Sequence, residues 1–210
     1  MKNGKYFDIL NSLPAYGEMY VPISEDNVPF YSEGFVIRFY KSDGEDWVAN
    51  FQTGWTEFNY VHEFETNPNI LVVAGGTCYL MNPNKKEPIN VFGVGFQNYL
   101  KTESNQIVLQ DLTDLTVVEP NADYWRTERI SWDGIKDLKL NGKFVTGLSY
   151  DPMNSKEEWV EFIVDLENRE VKGGSYRKYE FKPIGENVES VKPKKDKKSW
   201  WNFGNGKAST

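Results

Sequence analysis

The chain reads as an all-β domain of repeated antiparallel hairpins, arranged as a blade-like meander or a β-sandwich, with one short N-terminal helix. Three observations lead there. Aromatic residues make up 15% of the sequence, with seven Trp, twelve Tyr and thirteen Phe, and such large flat side chains suit sheet faces better than a narrow helical stripe. Short apolar runs alternate with turn signals at the spacing of about eight to twelve residues that marks sandwiches and barrels. One stretch also repeats. At a fixed offset of 37, Ile70 falls on Ile107, Leu71 on Val108, Leu80 on Val117, Met81 on Val118, Pro83 on Pro120 and Asn84 on Asn121, with no gap over fifteen positions.

The helix is expected over residues 5–12, where Tyr6, Ile9, Leu10 and then Leu13 keep helical spacing until Pro14 ends the pattern. Residues 14–33 hold three prolines and several aromatics. They are too apolar for disorder and are expected to form an ordered, extended covering loop. Two strands then flank Asp43-Gly44, a strong hairpin dipeptide. In the first repeat unit, Gly75-Gly76 follows an apolar run, as a phosphate-cradling loop would. What comes next, "TCYLMNP", is strand-like and reaches a proline, whereas a phosphate loop needs a helix there. The glycine pair is therefore a hairpin turn, and Leu112-Thr113 occupies the same turn in the second unit.

Further along, "IKDLKLNGKFVTGLSY" is the clearest hairpin. A two-residue Asn141-Gly142 loop would set Leu138 opposite Val145 and Ile135 opposite Leu148. A degraded third repeat follows. Its second strand alternates Val160, Phe162, Val164 and Leu166 on one face and carries Trp159 and Ile163 on the other, so both faces are expected to be buried. The domain is expected to span residues 1–182, and residues 183–210 form a basic, Trp-containing flexible tail with a linker near Pro183 to Pro193.

Charge is uneven along the chain. The net charge is −7, yet residues 192–210 carry six Lys and one Asp, so residues 1–191 hold 18 basic against 30 acidic residues, or −12. An acidic body repels phosphate backbones, which disfavours nucleic acid. The N-terminus shows no signal-peptide pattern and no apolar run is long enough to cross a membrane. Together with the lone Cys78, these features predict a cytoplasmic protein with no transmembrane segment.

Catalytic chemistry finds little support. His62 is the only histidine, which leaves any triad or two-histidine metal site dependent on it, and it sits in the alternating strand pattern "NYVHEFET". Cys78 lies in an apolar strand with no basic neighbour to activate it. "SDGED" at 42–46 is too short for a calcium loop. The expectation is no catalytic residue, no metal and no cofactor.

The stretches "RISWDGIKDLKLNGKFVTGLSYDP" and "EWVEFIVDLENREVKGGSY", with "EGFVIRFYKSDGEDWVANFQTGW" and "LVVAGGTCYLMNPN" upstream, resemble an uncharacterised group of bacterial proteins of Bacteroidetes type over roughly residues 16–180. The resemblance implies one coherent domain and carries no catalytic residues with it. Acidic proteins of this kind often serve as immunity partners that block toxins.

The functional expectation is a non-enzymatic protein-binding domain, an acidic immunity-type inhibitor of a basic toxin or effector, steered by charge and anchored by aromatics. The residues singled out as exposed are Trp55, Trp125 and Trp132, with Glu57, Asp123, Glu128 and Asp133 beside them. In the tail, Lys194, Lys195, Lys197 and Lys198 with Trp200 and Trp201 form a docking cluster for an acidic partner or, weakly, a membrane surface. The alternative is a carbohydrate-binding or carbohydrate-active domain using Trp and Tyr platforms and paired carboxylates. The oligomeric state is left open.

Overall fold

The computed structural model describes residues 5–17, 19–26, 28–153 and 158–179. Among these residues are sixteen strands: β1 (Phe7–Leu10), β2 (Val21–Ile23), β3 (Phe35–Tyr40), β4 (Asp46–Phe51), β5 (Tyr60–Glu63), β6 (Ile70–Ala74), β7 (Thr77–Met81), β8 (Asn90–Phe92), β9 (Asn98–Lys101), β10 (Ile107–Gln110), β11 (Leu115–Val118), β12 (Tyr124–Arg126), β13 (Ile135–Asn141), β14 (Phe144–Asp151), β15 (Glu158–Asp165) and β16 (Glu170–Gly173). They form four sheets of four strands. The second, third and fourth are antiparallel meanders in chain order, β5 to β8, β9 to β12 and β13 to β16. The first has the order β1-β3-β4-β2, with β2 parallel to β4.

Side-chain alternation explains why the sheets stack as blades. On β6, Ile70, Val72 and Ala74 enter a cluster with Ile37, Phe39 and Phe51 of the first sheet. The residues between them, Leu71 and Val73, pack instead with Ile107, Leu109 and Val118 of the third sheet. In the third sheet, Val108, Leu115 and Val117 turn the other way, toward Val145, Phe162 and Val164 of the fourth. Three cores thus lie in series, each between consecutive sheets. The repeat at offset 37 reproduces these facings, because Ile70 and Ile107 both look back along the stack while Leu71 and Val108 both look forward.

The Gly75-Gly76 turn is a tight hairpin tip, with Ala74 paired to Thr77 and positive φ at both glycines, 55° and 87°. Its environment leaves no room for a side chain. A Cβ on Gly76 would lie 2.6 Å from the Thr56 hydroxyl and 2.8 Å from the Phe96 carbonyl.

The structure corrects three sequence expectations. Residues 5–12 are not helical. Phe7–Leu10 pairs antiparallel with Val36–Phe39, because a segment this short makes too few internal hydrogen bonds to offset helix nucleation, whereas a sheet edge supplies partners. The fourth-sheet hairpin closes one residue later than expected. Asn141 pairs with Phe144 and Leu140 with Val145, leaving Gly142-Lys143 as the loop with φ of 59° at Gly142. A bulge between Lys136 and Lys139 then shifts the register, so Ile135 faces Ser149. The third correction concerns the second face of β15: Trp159 and Ile163 are 37% and 43% exposed, because no further sheet of the described residues follows the fourth.

Within 14–33, Asn50 accepts from Gly34 N–H and donates to the Ser32 carbonyl, which ties the segment's end to the first sheet. Tyr16, Met19 and Tyr31 stay exposed, so the covering is partial. The boundary near residue 183 and the tail cluster from Lys194 to Trp201 lie outside the described residues.

Replacing Gly76 by Ala should lower stability by at least about 2 kcal/mol, from the forbidden φ and the two clashes together. Urea unfolding at unchanged m-value measures it. A loss under about 0.5 kcal/mol would contradict the tip geometry.

Candidate functional site

The tips of the β6–β7 and β10–β11 hairpins and the connections between sheets gather at one end of the stack. In the loop after β4, Gly54 N–H donates to the Ala74 carbonyl, Trp55 N–H to Val94 and Thr56 N–H to Gly75, at 2.8 to 3.0 Å. Gly76 N–H returns a bond to the Phe58 carbonyl, and Phe96 N–H donates to Gly76. The Thr56 hydroxyl donates to the Phe96 carbonyl at 2.7 Å. The same arrangement recurs one unit on. Gly134 N–H donates to Leu112, and Ile130 and Ser131 N–H both donate to Thr113. The Gly75-Gly76 tip is thereby clasped by the loops on either side, and the Leu112-Thr113 tip by the loop that follows its sheet.

Trp55 stands out on this end. Its backbone is held by neighbours on both sides, yet its side chain is 84% exposed. Glu57, two residues on, is exposed as well. Asp133 is exposed in the equivalent connection before the fourth sheet, beside the half-buried Trp132. The Trp132 ring lies 4.7 Å from Tyr176, and the Arg129 guanidinium sits 4.8 Å from the Tyr176 ring and 5.6 Å from Trp132. Trp132 therefore packs against its own loop and the segment after β16. The two connections are separated by two sheet spacings of about 10 Å each, so Trp55 and Trp132 lie within the footprint of one protein interface, about 800 Å² a side, but not in one pocket.

Of the other residues singled out from sequence, Asp123 and Trp125 belong to the opposite end. Asp123 closes a turn with Asn121. Trp125 is half-buried, donates its indole N–H to Glu119 at 2.9 Å and carries the Arg169 guanidinium 5.3 Å from its ring. Glu128 pairs with Arg177. A cleft between the third and fourth sheets joins Trp125, Arg126 and Glu128 to Arg169 and Arg177. These three arginines are matched by carboxylates: Arg126 binds Asp114 through two nitrogens, at 2.5 and 2.7 Å, and Arg169 approaches Glu119 at 4.0 Å. The Asp114 hydrogen bonds hold the Arg126 guanidinium above its usual range. So matched, the cleft has no free cation among the described residues to offer an anion.

Sequence reasoning missed Leu112. It is 41% exposed at the tip of the third sheet, and the signal was present, since the repeat sets this apolar residue where the second sheet has Gly75.

His62 and Cys78, the two groups weighed for catalysis, are packed away, as is Tyr79 beside Cys78. Cys78 is fully buried and burial pushes its thiol well above the usual range. Burial pushes the Tyr79 hydroxyl up to about 12, with Glu25 adding to it. His62 is 7% exposed and meets Phe64 edge-on at 4.9 Å. Burial lowers its pKa, Lys101 lowers it further and Glu65 opposes them. Among the described residues no helix is long and apolar enough to cross a membrane, and no group of three or more His, Cys, Asp or Glu is placed to hold a metal ion.

Because burial lowers the His62 pKa in the folded state, the unfolded chain takes up its proton first as pH falls through about 6.5. Stability is thus lost on the acid side of that value. Between about pH 7.5 and 5.5 the wild type should lose more stability than His62→Gln, by up to about 1 kcal/mol. Parallel urea curves for the two proteins test this, and equal slopes against pH would contradict it.

No protein-family model matches the chain, and no curated protein matches it. Among solved structures, the WD40 domain of Neurospora crassa Pan2 aligns at 14% identity over 69% of this chain and 49% of its own, with a TM-score of 0.32. The chain thus spans about half the length of that domain, and a score this low has no bearing on activity or partner.

Proposed function

We propose that this protein is a non-enzymatic binding domain that holds a basic protein partner against the turn end of its sheet stack, in the manner of an acidic immunity-type inhibitor. One observation supports this above the others: an indole 84% exposed on a backbone clasped by both neighbouring loops. Leaving a Trp in water forfeits roughly 2 kcal/mol of burial. An exposed Trp on a fixed backbone has only its two side-chain torsions left to lose when a partner covers it, which makes it an efficient anchor.

Charge supplies the partner's sign. Residues 1–191 carry −12, and Glu57 and Asp133 stand on the same end as Trp55. Such a surface attracts a cationic protein, with most of the effect in the association rate. The same exposed indole would also stack on a sugar ring, which keeps a carbohydrate ligand as the second reading.

Affinity capture from native cells with the tagged full chain, washed at low and high salt, tests the proposal. A basic protein should be retained at low salt and weakened at high salt. Trp55→Ala should cut its affinity at least about thirtyfold, a loss of about 2 kcal/mol, with little change in stability. Glu57→Gln combined with Asp133→Asn should slow association and flatten the salt dependence. Retention indifferent to Trp55→Ala would overturn the proposal, and a hit for Trp55 on a glycan array would move it to the carbohydrate reading.

A further inference from the structure

The outer face of the fourth sheet is the forward face that, in the second and third sheets, the next sheet buries. Here it is uncovered. Phe144, Trp159 and Ile163 are 39%, 37% and 43% exposed, and half-buried Leu148 and Tyr150 lie between them on β14. The face is firm. Tyr150 packs on Trp159 with ring centroids 5.3 Å apart, and the Lys136 ammonium sits 3.7 Å from the Trp159 centroid. A shallow groove runs along it past Lys139, Thr146, Leu148, Glu161 and Ile163.

We infer that this face binds a second copy of the same chain, fourth sheet against fourth sheet. The choice of occupant rests on charge. A body at −12 repels its own copy from most directions. On this face the signs balance: Lys136, Lys139 and Lys172 stand against Asp137, Glu161 and Glu170, while Asp165 is tied to Lys143 at 3.3 Å. At this face an equally acidic copy meets no local repulsion, only that of the two bodies at longer range, whereas a basic partner gains nothing from a neutral face and is drawn to the acidic turn end.

Size sets the strength. Strands of seven, eight, eight and four residues, at about 3.4 Å per residue and about 4.8 Å apart, give a face of about 440 Å² per copy, or about 900 Å² for the pair. Roughly 1,000 Å² in total is the lower edge of specific interfaces, so the association is weak and concentration-dependent.

Sedimentation velocity on the full chain, from dilute to concentrated solution and at low and high salt, tests the inference. A reversible monomer–dimer equilibrium is expected. Added salt should tighten it, because screening relieves repulsion between the two bodies, whereas salt weakens capture of a basic partner. Ile163→Glu should weaken the dimer at least tenfold. Lys172→Glu, at an exposed strand position where folding is not at risk, should weaken it at low salt. Trp55→Ala should leave it unchanged. A monomer at every concentration, a dimer indifferent to both variants, or one loosened by salt would overturn the inference. So would a monomer that retains a foreign protein through this face and loses it in Ile163→Glu.

Discussion

The structure depends on two hairpins, β6–β7 and β10–β11, that are buried on both faces. Every residue of these four strands is buried. A sheet with one apolar face needs one covering layer, but a sheet with two needs a layer on each side. That requirement rules out a two-layer sandwich and forces the sheets into series. It also makes the ends of the series special, since each terminal sheet has one face that its neighbours do not bury.

The two ends are handled differently. On the first sheet, the chain before β3 supplies a fourth strand through β2 and a contact at Asn50, covering part of the outer side. On the fourth, the outer face mixes three exposed apolar side chains with charges of balanced sign. This composition lies between a stacking face, which in β6 and β7 is apolar but for Thr77, and the polar caps that end repeat arrays. A half-apolar, charge-balanced face suits weak association. At right angles to the series, backbone hydrogen bonds clasp the β6–β7 and β10–β11 hairpin tips, and this makes connections that would otherwise be pliable into a firm platform. Trp55 projects from that platform, so the same bonds that keep the sheets in register also hold the proposed anchor in place.

Much of the architecture was legible in the sequence, for identifiable reasons. The 37-residue offset is visible because both copies carry the same alternation of facings, and the glycine pair at 75–76 is visible because only glycine fits that tip. The helix over residues 5–12 was misread because four apolar residues at helical spacing carry no information about a distant strand such as β3. The hairpin at 141–144 slipped by one residue because the bulge at Lys136–Lys139 absorbs the register difference, and a bulge has no dependable local signal. Of the candidate site residues, Trp55 and Glu57 proved exposed in a fixed loop. Trp125 and Trp132 proved half-buried, since local sequence cannot show that Glu119 and Arg169 surround one and Arg129 and Tyr176 the other. The outer face of the fourth sheet was overlooked because an apolar residue opposite a buried one reads as core until the absence of a next sheet is seen.

Amide hydrogen exchange at Gly54, Trp55, Thr56 and Gly76 tests the central constraint most directly. All four donate to carbonyls in a neighbouring connection or hairpin. If the clasped tips hold the stack together, these loop amides will exchange as slowly as those of β6 and β7, near the rate of global unfolding. Exchange at the rate of a free loop, with β6 and β7 still protected, would show that the tips are not clasped and that Trp55 has no rigid support.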